Sequence, residues 1–432
     1  MTVTQAPADT TSIPGAAESL VWETDTRFRL HSAVYTSPRI FELELSRIFG
    51  RCWLFLGYEG SIPEPGDYLT TTMGLQPVIV TRTDGGEIAA MLNRCAHRAS
   101  VVCREERGRA TTFRCPYHGW VYRNDGTLIG AAQRQGYPDD FMSWGLRLPP
   151  VRVESYRGLI FGTLDPDAVP LLDRLDGVRR YIDLWCDRSP TGRYDIASAA
   201  HRYSYEANWK FQMENGVDGY HGNYIHESFT KILERSGERK ATDITRARNN
   251  VSAHNYAIGL PCGDALLERE SGMLGTYDFS RHPEFAEALR RQHDGDRVRD
   301  IMMQRNIFIF PNLFLFESHI RVVRPVRLDH TYVDVHPVHL QGVDDQLNID
   351  RLKEHERFFG PASFGAPDDI EAFLCVQTGA QATVDPWLEM SRGMHREERL
   401  ESGEVRGHST DETTQRAQYR EWRQLMRGGE AR

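Results

Sequence analysis

No apolar run approaches the roughly eighteen residues a bilayer-spanning helix needs, so no membrane span is expected. The opening stretch MTVTQAPADTTSIPGAAESL has no basic patch followed by an apolar block. It therefore does not read as a secretory signal, and its Ala, Pro, Thr and Gly content reads as a mobile tail. Positive charge is in deficit: 52 Lys and Arg face 61 Asp and Glu, for a net charge of −9. That balance excludes a general nucleic-acid binder. Cysteine is sparse and odd in number, seven in 432 residues. With no export signal, a disulfide framework is not expected, and metal binding is the better reading of any cysteine cluster. Internal repeats are missing. What remains is a cytoplasmic globular chain, long enough for two or more domains.

The pattern along the chain changes near Cys52. Residues from Phe28 to Arg51 read as helical, with Phe41, Leu43, Leu45, Ile48 and Phe49 as the apolar set. From 52 to 166, β-rich runs such as PVIVTRT and EIAAMLN alternate with turns such as Asp84-Gly85-Gly86 and Asn124-Asp125-Gly126. This span reads as a compact antiparallel β domain. From 167 to 432 strands and helices mix without strict alternation. IFIFPNLFLFESHIRVVRPVRL and HTYVDVHPVHL are strand-rich, while NIDRLKEHERFF and the stretch from Asp411 to Met426 look helical. The polar HDGDRVRD reads as a loop. The fold class is α+β with an antiparallel sheet.

Two short segments carry a first constellation. NRCAHR sets Cys95 and His97 two residues apart; CPYHGW sets Cys115 and His118 three apart; seventeen residues separate the pairs. Two loops, each offering one thiolate and one imidazole, can clamp a metal centre from both sides. Such a set can hold zinc tetrahedrally. It can also hold a Rieske [2Fe–2S] cluster, with the cysteines on one iron and the histidines on the other. Mixed Cys–His pairs at turns after β-rich runs favour the cluster. The remaining cysteines, Cys52, Cys103, Cys186, Cys262 and Cys375, lack such pairing and are expected to be buried inert thiols.

ENGVDGYHGNYIH carries the second constellation. His221 and His226 are five apart, about 140° around a regular helix, so they share one ion only if the helix is widened or broken there. Gly219 and Gly222 allow such a distortion, and Asp218 precedes His221 by three. Two histidines and a carboxylate on one face of iron, with open positions, is an oxygen-activating arrangement. The carboxylate must come from elsewhere, and Asp368 and Asp369 in GPASFGAPDDIEAF are the candidates. Helix capping after Pro367 also accounts for that pair.

These motifs, with WKFQMENGVDGYHGNYIH, VESYRGLIFGTLDPD, WLEMSRG and STDETTQRAQYREW, make the chain resemble the α subunits of Rieske non-haem iron ring-hydroxylating dioxygenases. The resemblance runs from about Phe28 to about Met426 and is closest to the benzoate, toluate and anthranilate branch. It implies an all-β Rieske domain (52–166) inserted before a catalytic domain (167–432), whose large antiparallel sheet is flanked by helices; residues 1–51 would be the tail and an N-terminal helical part of the catalytic domain. It implies Cys95, His97, Cys115 and His118 as ligands of the [2Fe–2S] cluster. His221, His226 and Asp369, with Asp368 as fallback, become ligands of a mononuclear Fe(II). Asp218 becomes an electron-transfer bridge between His221 and His118 of a neighbouring subunit. Asn215 lies near the iron, though closer to Asp218 than in some relatives. NADH acts indirectly, through a flavin/iron–sulfur reductase or a ferredoxin. Further implied partners are an aromatic substrate, O2 and a small β subunit, in an α3β3 or α3 assembly.

The branch suggests an aromatic carboxylate as substrate, and Arg416 lies in a segment that resembles the pocket-side helix, where a structural ion pair is the competing role. Monohydroxylation or demethylation on the same scaffold, a Rieske electron carrier and a zinc-binding protein are the other readings.

Overall fold

The computed structural model describes residues 17–196, 200–237, 255–270 and 279–427. Most of the N-terminal stretch expected to be a tail lies outside them. The chain divides into two compact units, one formed by Leu45–Asp173 and the other by the segments on either side.

The first unit is built on a seven-stranded antiparallel sheet. Across it run Leu54–Tyr58, Leu159–Thr163, Pro150–Tyr156, Ile88–Leu92, Gln76–Arg82, Asp67–Met73 and Arg107–Arg109. A second, three-stranded sheet joins Thr112–Arg114, Val121–Arg123 and Leu128–Gly130. Between them lies a core of Ile79, Met91, Phe113, Trp120, Tyr122 and Phe141, which also takes in Cys95 and Cys115. The two cysteines are therefore held by apolar packing from both sheets.

The second unit carries a nine-stranded antiparallel sheet, from His201–Tyr205 through His330–Pro337, His319–Arg327, Leu313–Leu315, Gln304–Ile309, Ala265–Arg269, Asn255–Gly259 and Val405–His408 to Glu398–Arg399. Its helices include Lys210–Asn215, Glu227–Arg235, Asp345–Phe359, Ala366–Gly379 and Thr413–Met426. The last buries Tyr419, Trp422 and Met426 and packs on the Asn255–Gly259 strand. Glu44 is fully buried and satisfied from three sides: Lys210 Nζ at 2.7 Å, Trp209 Nε1 at 2.9 Å and Trp422 Nε1 at 2.7 Å. A buried ion pair is tolerable when hydrogen bonds saturate its lone pairs in this way.

Two expectations need correction. The stretch from Phe28 to Arg51 is not one helix. Phe28–His31 is a strand between Val21–Glu23 and Trp387–Glu389, followed by a single turn at Ala33–Thr36 and a helix at Pro38–Arg47. Phe28 and Leu30 are buried on either side of half-buried Arg29, a period of two. The break at Ser37 follows from Pro38, which drives the preceding residue into the extended region. HDGDRVRD is not a loop, for Gly295–Met302 is helical. Asp294 caps it by accepting from the Arg297 N–H at 2.8 Å. Val298 and Ile301, three apart, supply its buried face; only the first lies within the polar octet.

Beneath Thr413–Met426, the Glu214 carboxylate accepts from the hydroxyls of Tyr35, at 2.7 Å, and Tyr419. Burial pushes its acid up to about 7, from an ordinary 4.5. The folded state thus holds a proton there that the unfolded chain releases, and stability is lost as pH rises from about 4.5 through 7. The shift corresponds to about 3 kcal/mol. Glu214→Gln removes this dependence, so thermal unfolding should show the variant gaining on the wild type between pH 5 and pH 8. Parallel pH profiles would contradict the assignment.

Candidate active site

The two Cys–His loops are built alike. In the first, the Cys95 N–H donates to Ser100 O (2.9 Å) and the Ala99 N–H to Cys95 O (3.0 Å). In the second, the Cys115 N–H donates to Trp120 O (2.7 Å) and the Gly119 N–H to Cys115 O (3.0 Å). Each loop closes from residue i to i+5 and passes through positive φ at i+4: 58° at Ala99, 68° at Gly119. Glycine adopts that conformation freely and alanine at a cost, so the first loop carries local strain. The closure turns both histidines to the same place. The His97 and His118 rings lie 4.6 Å apart, and His97 stacks on Trp120 at 4.9 Å.

The donors suit a cluster of this type. Cys95 and Cys115 are buried, and the Cys95 sulfur lies 3.2 Å from the Tyr122 hydroxyl. Burial alone would raise the Cys115 thiol, but backbone N–H groups of Tyr117 and His118 aimed at the sulfur hold it below its ordinary value. N–H groups directed at sulfur stabilise a thiolate ligand. His97 Nδ1 is buried without a hydrogen bond, which suits a metal ligand.

The second constellation assembles where the chain breaks between helices. Lys210–Asn215 ends, a single 3-10 turn spans His221–Asn223, and Glu227–Arg235 begins just after His226. Gly219 is needed here for close approach, since a Cβ would fall 2.1 Å from Ser409 O. Gly222 has room around it, so its side-chain position is not what forces glycine there. The interruption brings the two imidazoles to 5.4 Å, at 75° to each other. Their Nε2 atoms both face Asp369 Oδ1, from His221 at 3.6 Å and from His226 at 3.4 Å. All three ligand atoms lie within 4.8 Å of one another. Metal bonds of about 2.1 Å at right angles set donors about 3 Å apart, so a small contraction closes this triangle on one ion.

Asp218 Oδ2 lies 3.1 Å from His221 Nδ1. Burial favours protonation of Asp218, but His221 and the Tyr220 N–H outweigh it and keep the carboxyl below its ordinary range. Asn215 Nδ2 donates to Asp369 Oδ1 at 3.2 Å. The tandem aspartates divide, because neighbours in the first turn of Ala366–Gly379 point about 100° apart. Asp369 faces the Nε2 atoms; Asp368 Oδ2 lies 3.5 Å from His226 Nδ1 and accepts from Ser228 Oγ at 3.3 Å. Each histidine thus has its own carboxylate behind it, Asp218 or Asp368. The sequence offers Asp368 only as a substitute ligand; its place behind His226 emerges from the fold, although tandem aspartates at a helix start are a signal for it.

An aromatic wall adjoins the histidines. Phe358 packs edge-on against His226 at 5.0 Å, Phe229 lies 5.1 Å from Phe358, and Phe364 stacks on Phe229. A second group of possible ligands, His201, His355 and Glu356, also comes within 4.8 Å. Arg416 is not a pocket residue. It is fully buried and bonded to Glu397, the carbonyls of Met390 and Arg392, and Thr413. Of the five cysteines expected to be buried, Cys103 and Cys186 are; Cys52 and Cys262 are half-buried, and Cys375 is exposed. Cys375 sits on the outward face of its helix, where no core covers it.

Residues 52–149 match the Rieske [2Fe-2S] domain, and residues 195–428 match the catalytic domain of ring-hydroxylating alpha subunits. The large subunit of 2-halobenzoate 1,2-dioxygenase from Burkholderia cepacia is 32% identical over 382 residues, 85% of this chain and 80% of that one. The alpha subunit of N,N-dimethyl phenylurea N-demethylase from a Sphingobium species is 41% identical over 309 residues, 68% of this chain and 64% of the relative. Naphthalene 1,2-dioxygenase with indole in its active site superposes with a TM-score of 0.82 at 26% identity, covering 95% of this chain and 93% of that one.

Proposed function

Because the chain belongs to the alpha subunits of the Rieske ring-hydroxylating dioxygenases, we propose that it is the oxygenase component of a multicomponent system that cis-dihydroxylates an aromatic carboxylic acid. The reading rests on one observation above the others: two histidine Nε2 atoms and one carboxylate oxygen converge, with a carboxylate behind each imidazole. A [2Fe–2S] cluster held by the two Cys–His loops would supply single electrons, and Fe(II) held at this triangle would activate O2.

The residues divide the remaining work. Cys95, His97, Cys115 and His118 hold the cluster, and His221, His226 and Asp369 hold the iron. Asp218 accepts the Nδ1 proton of His221 and so presents the Nε2 lone pair to the metal. Asp368 lies 3.5 Å from His226 Nδ1, beyond a formed hydrogen bond, and acts on that ring only through its charge. Asn215 steadies the Asp369 carboxylate. Phe229 and Phe358, both buried, give the ring an apolar wall, with the more exposed Phe364 stacked at its edge. No helix among the described residues is long and apolar enough to cross a membrane. The proposed setting is the cytoplasm, with a reductase passing electrons from NADH and a small β subunit completing an α3β3 assembly. In that assembly Asp218 would reach His118 of a neighbouring copy.

Dioxygenation is preferred to demethylation because the benzoate-type relative matches over most of its length, whereas the demethylase matches over a shorter span. The test is reconstitution with reductase and NADH under isotopically labelled oxygen, offering benzoate-like acids and neutral arenes. Two labelled atoms in one product are expected. A single labelled atom would make the enzyme a monooxygenase and remove the dihydrodiol step.

A further inference from the structure

Among the described residues, five arginines of the catalytic unit are buried: Arg188, Arg305, Arg321, Arg351 and Arg416. Four are accounted for. Arg188 pairs with Glu317 at 2.9 Å, Arg305 with Glu268 at 2.6 Å and Arg416 with Glu397 at 2.5 Å, and Arg351 donates to the carbonyls of Val338 and Glu317. Arg321 is the exception. It is 3% exposed, its Nε is buried without a hydrogen bond, and it has no carboxylate partner among the described residues. Its contacts are aromatic, with Phe316 at 4.6 Å and Phe359 at 5.4 Å from the guanidinium carbon. Cation–π contact offsets only part of the cost of desolvating a guanidinium. A guanidinium in these surroundings is suited to pairing with an anion.

The surroundings show which side is open. Arg321 stands on the strand His319–Arg327, third in the nine-stranded sheet, opposite Val335 on one side and Phe314 on the other. Phe314 is close enough to block any side chain at Gly216, the residue after Asn215. Phe359 touches Phe358, which touches His226. Tyr203, whose hydroxyl bonds Gln212, feels both Arg321 and Asp369. The arginine therefore lies on the catalytic side of the sheet, beyond the aromatic wall.

Beside it are His319, stacked on Phe316 at 4.5 Å, and His355. The Ser318 hydroxyl lies 3.1 Å from Nδ1 of the first and 3.2 Å from Nδ1 of the second. One hydroxyl proton serves one ring, so that ring, when neutral, must carry its own proton on Nε2. Both Nε2 atoms are buried without partners. This makes a second donor beside the guanidinium. It also argues against a cation at His201, His355 and Glu356, since Arg321 acts electrostatically on both of those histidines.

We propose that Arg321 anchors the carboxylate of the substrate: the acid's oxygens take the guanidinium fork beside His319, and the ring lies along Phe316, Phe359 and Phe358 toward His226 and Asp369. The assignment rests on the aromatic-acid reading above and names the residue that reads the acid. A planar fork matches a carboxylate with two parallel hydrogen bonds, and in an apolar wall no other group satisfies the charge.

The test compares kcat/KM for benzoate and toluene in the reconstituted holoenzyme and in Arg321→Gln and Arg321→Lys variants, with the visible cluster spectrum as the check on folding. In R321Q the benzoate-to-toluene preference should fall about 100-fold, mainly through KM for benzoate. In R321K, which keeps the cation and loses the fork, it should fall about 10-fold. Should R321Q not accumulate, R321K decides by the same ratio. A preference within threefold of the wild type in the folded variants overturns the anchor and leaves the aromatic-acid reading standing. A wild-type enzyme that oxidises toluene but no aromatic acid refutes that reading, and the anchor with it.

Discussion

Asp218→Asn should lower turnover by about 100-fold while leaving both metal centres loaded. The side chain keeps its shape, so the packing around His221 survives. What is lost is the negative charge 3.1 Å from His221 Nδ1. An asparagine presents either an amide N–H, which repels the ring N–H, or a neutral oxygen, which holds it more weakly. The imidazole then loses its fixed tautomer, and the proposed route for electrons between subunits loses its central acceptor. Iron and acid-labile sulfide should remain close to wild type. The measurement is single-turnover product formation from pre-reduced enzyme, beside the metal and sulfide content. Wild-type turnover by the variant would remove Asp218 from the bridge and reduce it to a local hydrogen-bond partner.

Asp369→Ala should have the larger effect on the metal: loss of bound iron and a fall in turnover of at least about 1000-fold, with the cluster spectrum unchanged. In the proposed centre His221 and His226 would be neutral ligands, and Asp369 is the anion that faces both Nε2 atoms, so its removal would leave a dication on two imidazoles. Asp368→Asn is the comparison. Asp368 lies behind His226, at 3.5 Å from Nδ1, and its loss should weaken iron binding only about 10-fold. Iron titration of the two apo variants separates the roles. If Asp368→Asn empties the site and Asp369→Ala does not, the two carboxylates must be exchanged.

Much of the site was legible because its donors are local. Cys95 with His97 and Cys115 with His118 sit on two short loops, and the spacing alone says that each loop can clamp from one side. His221 and His226 announce a broken helix, since five residues on a regular one would turn them apart. Arg416 shows the opposite case: its segment resembles the family's pocket-side helix, a structural ion pair being the competing role, and its bonds to Glu397 and two carbonyls decide for the ion pair.

What the sequence by itself determined is therefore the chemistry and the class of fold: two donor sets, β-rich then mixed, in a chain of net negative charge. Tertiary structure decided the rest. It placed Phe28–His31 in a sheet with a strand some 360 residues away, made Gly295–Met302 a helix, and turned Asp369 rather than Asp368 toward the two Nε2 atoms. It also left Arg321 without a carboxylate partner among the described residues, while four other buried arginines there found a carboxylate or backbone carbonyls. The physical reason is common to all of these. Spacing along the chain encodes which groups are near each other locally, but pairing, desolvation and the direction a side chain faces depend on elements that meet only when the chain has folded.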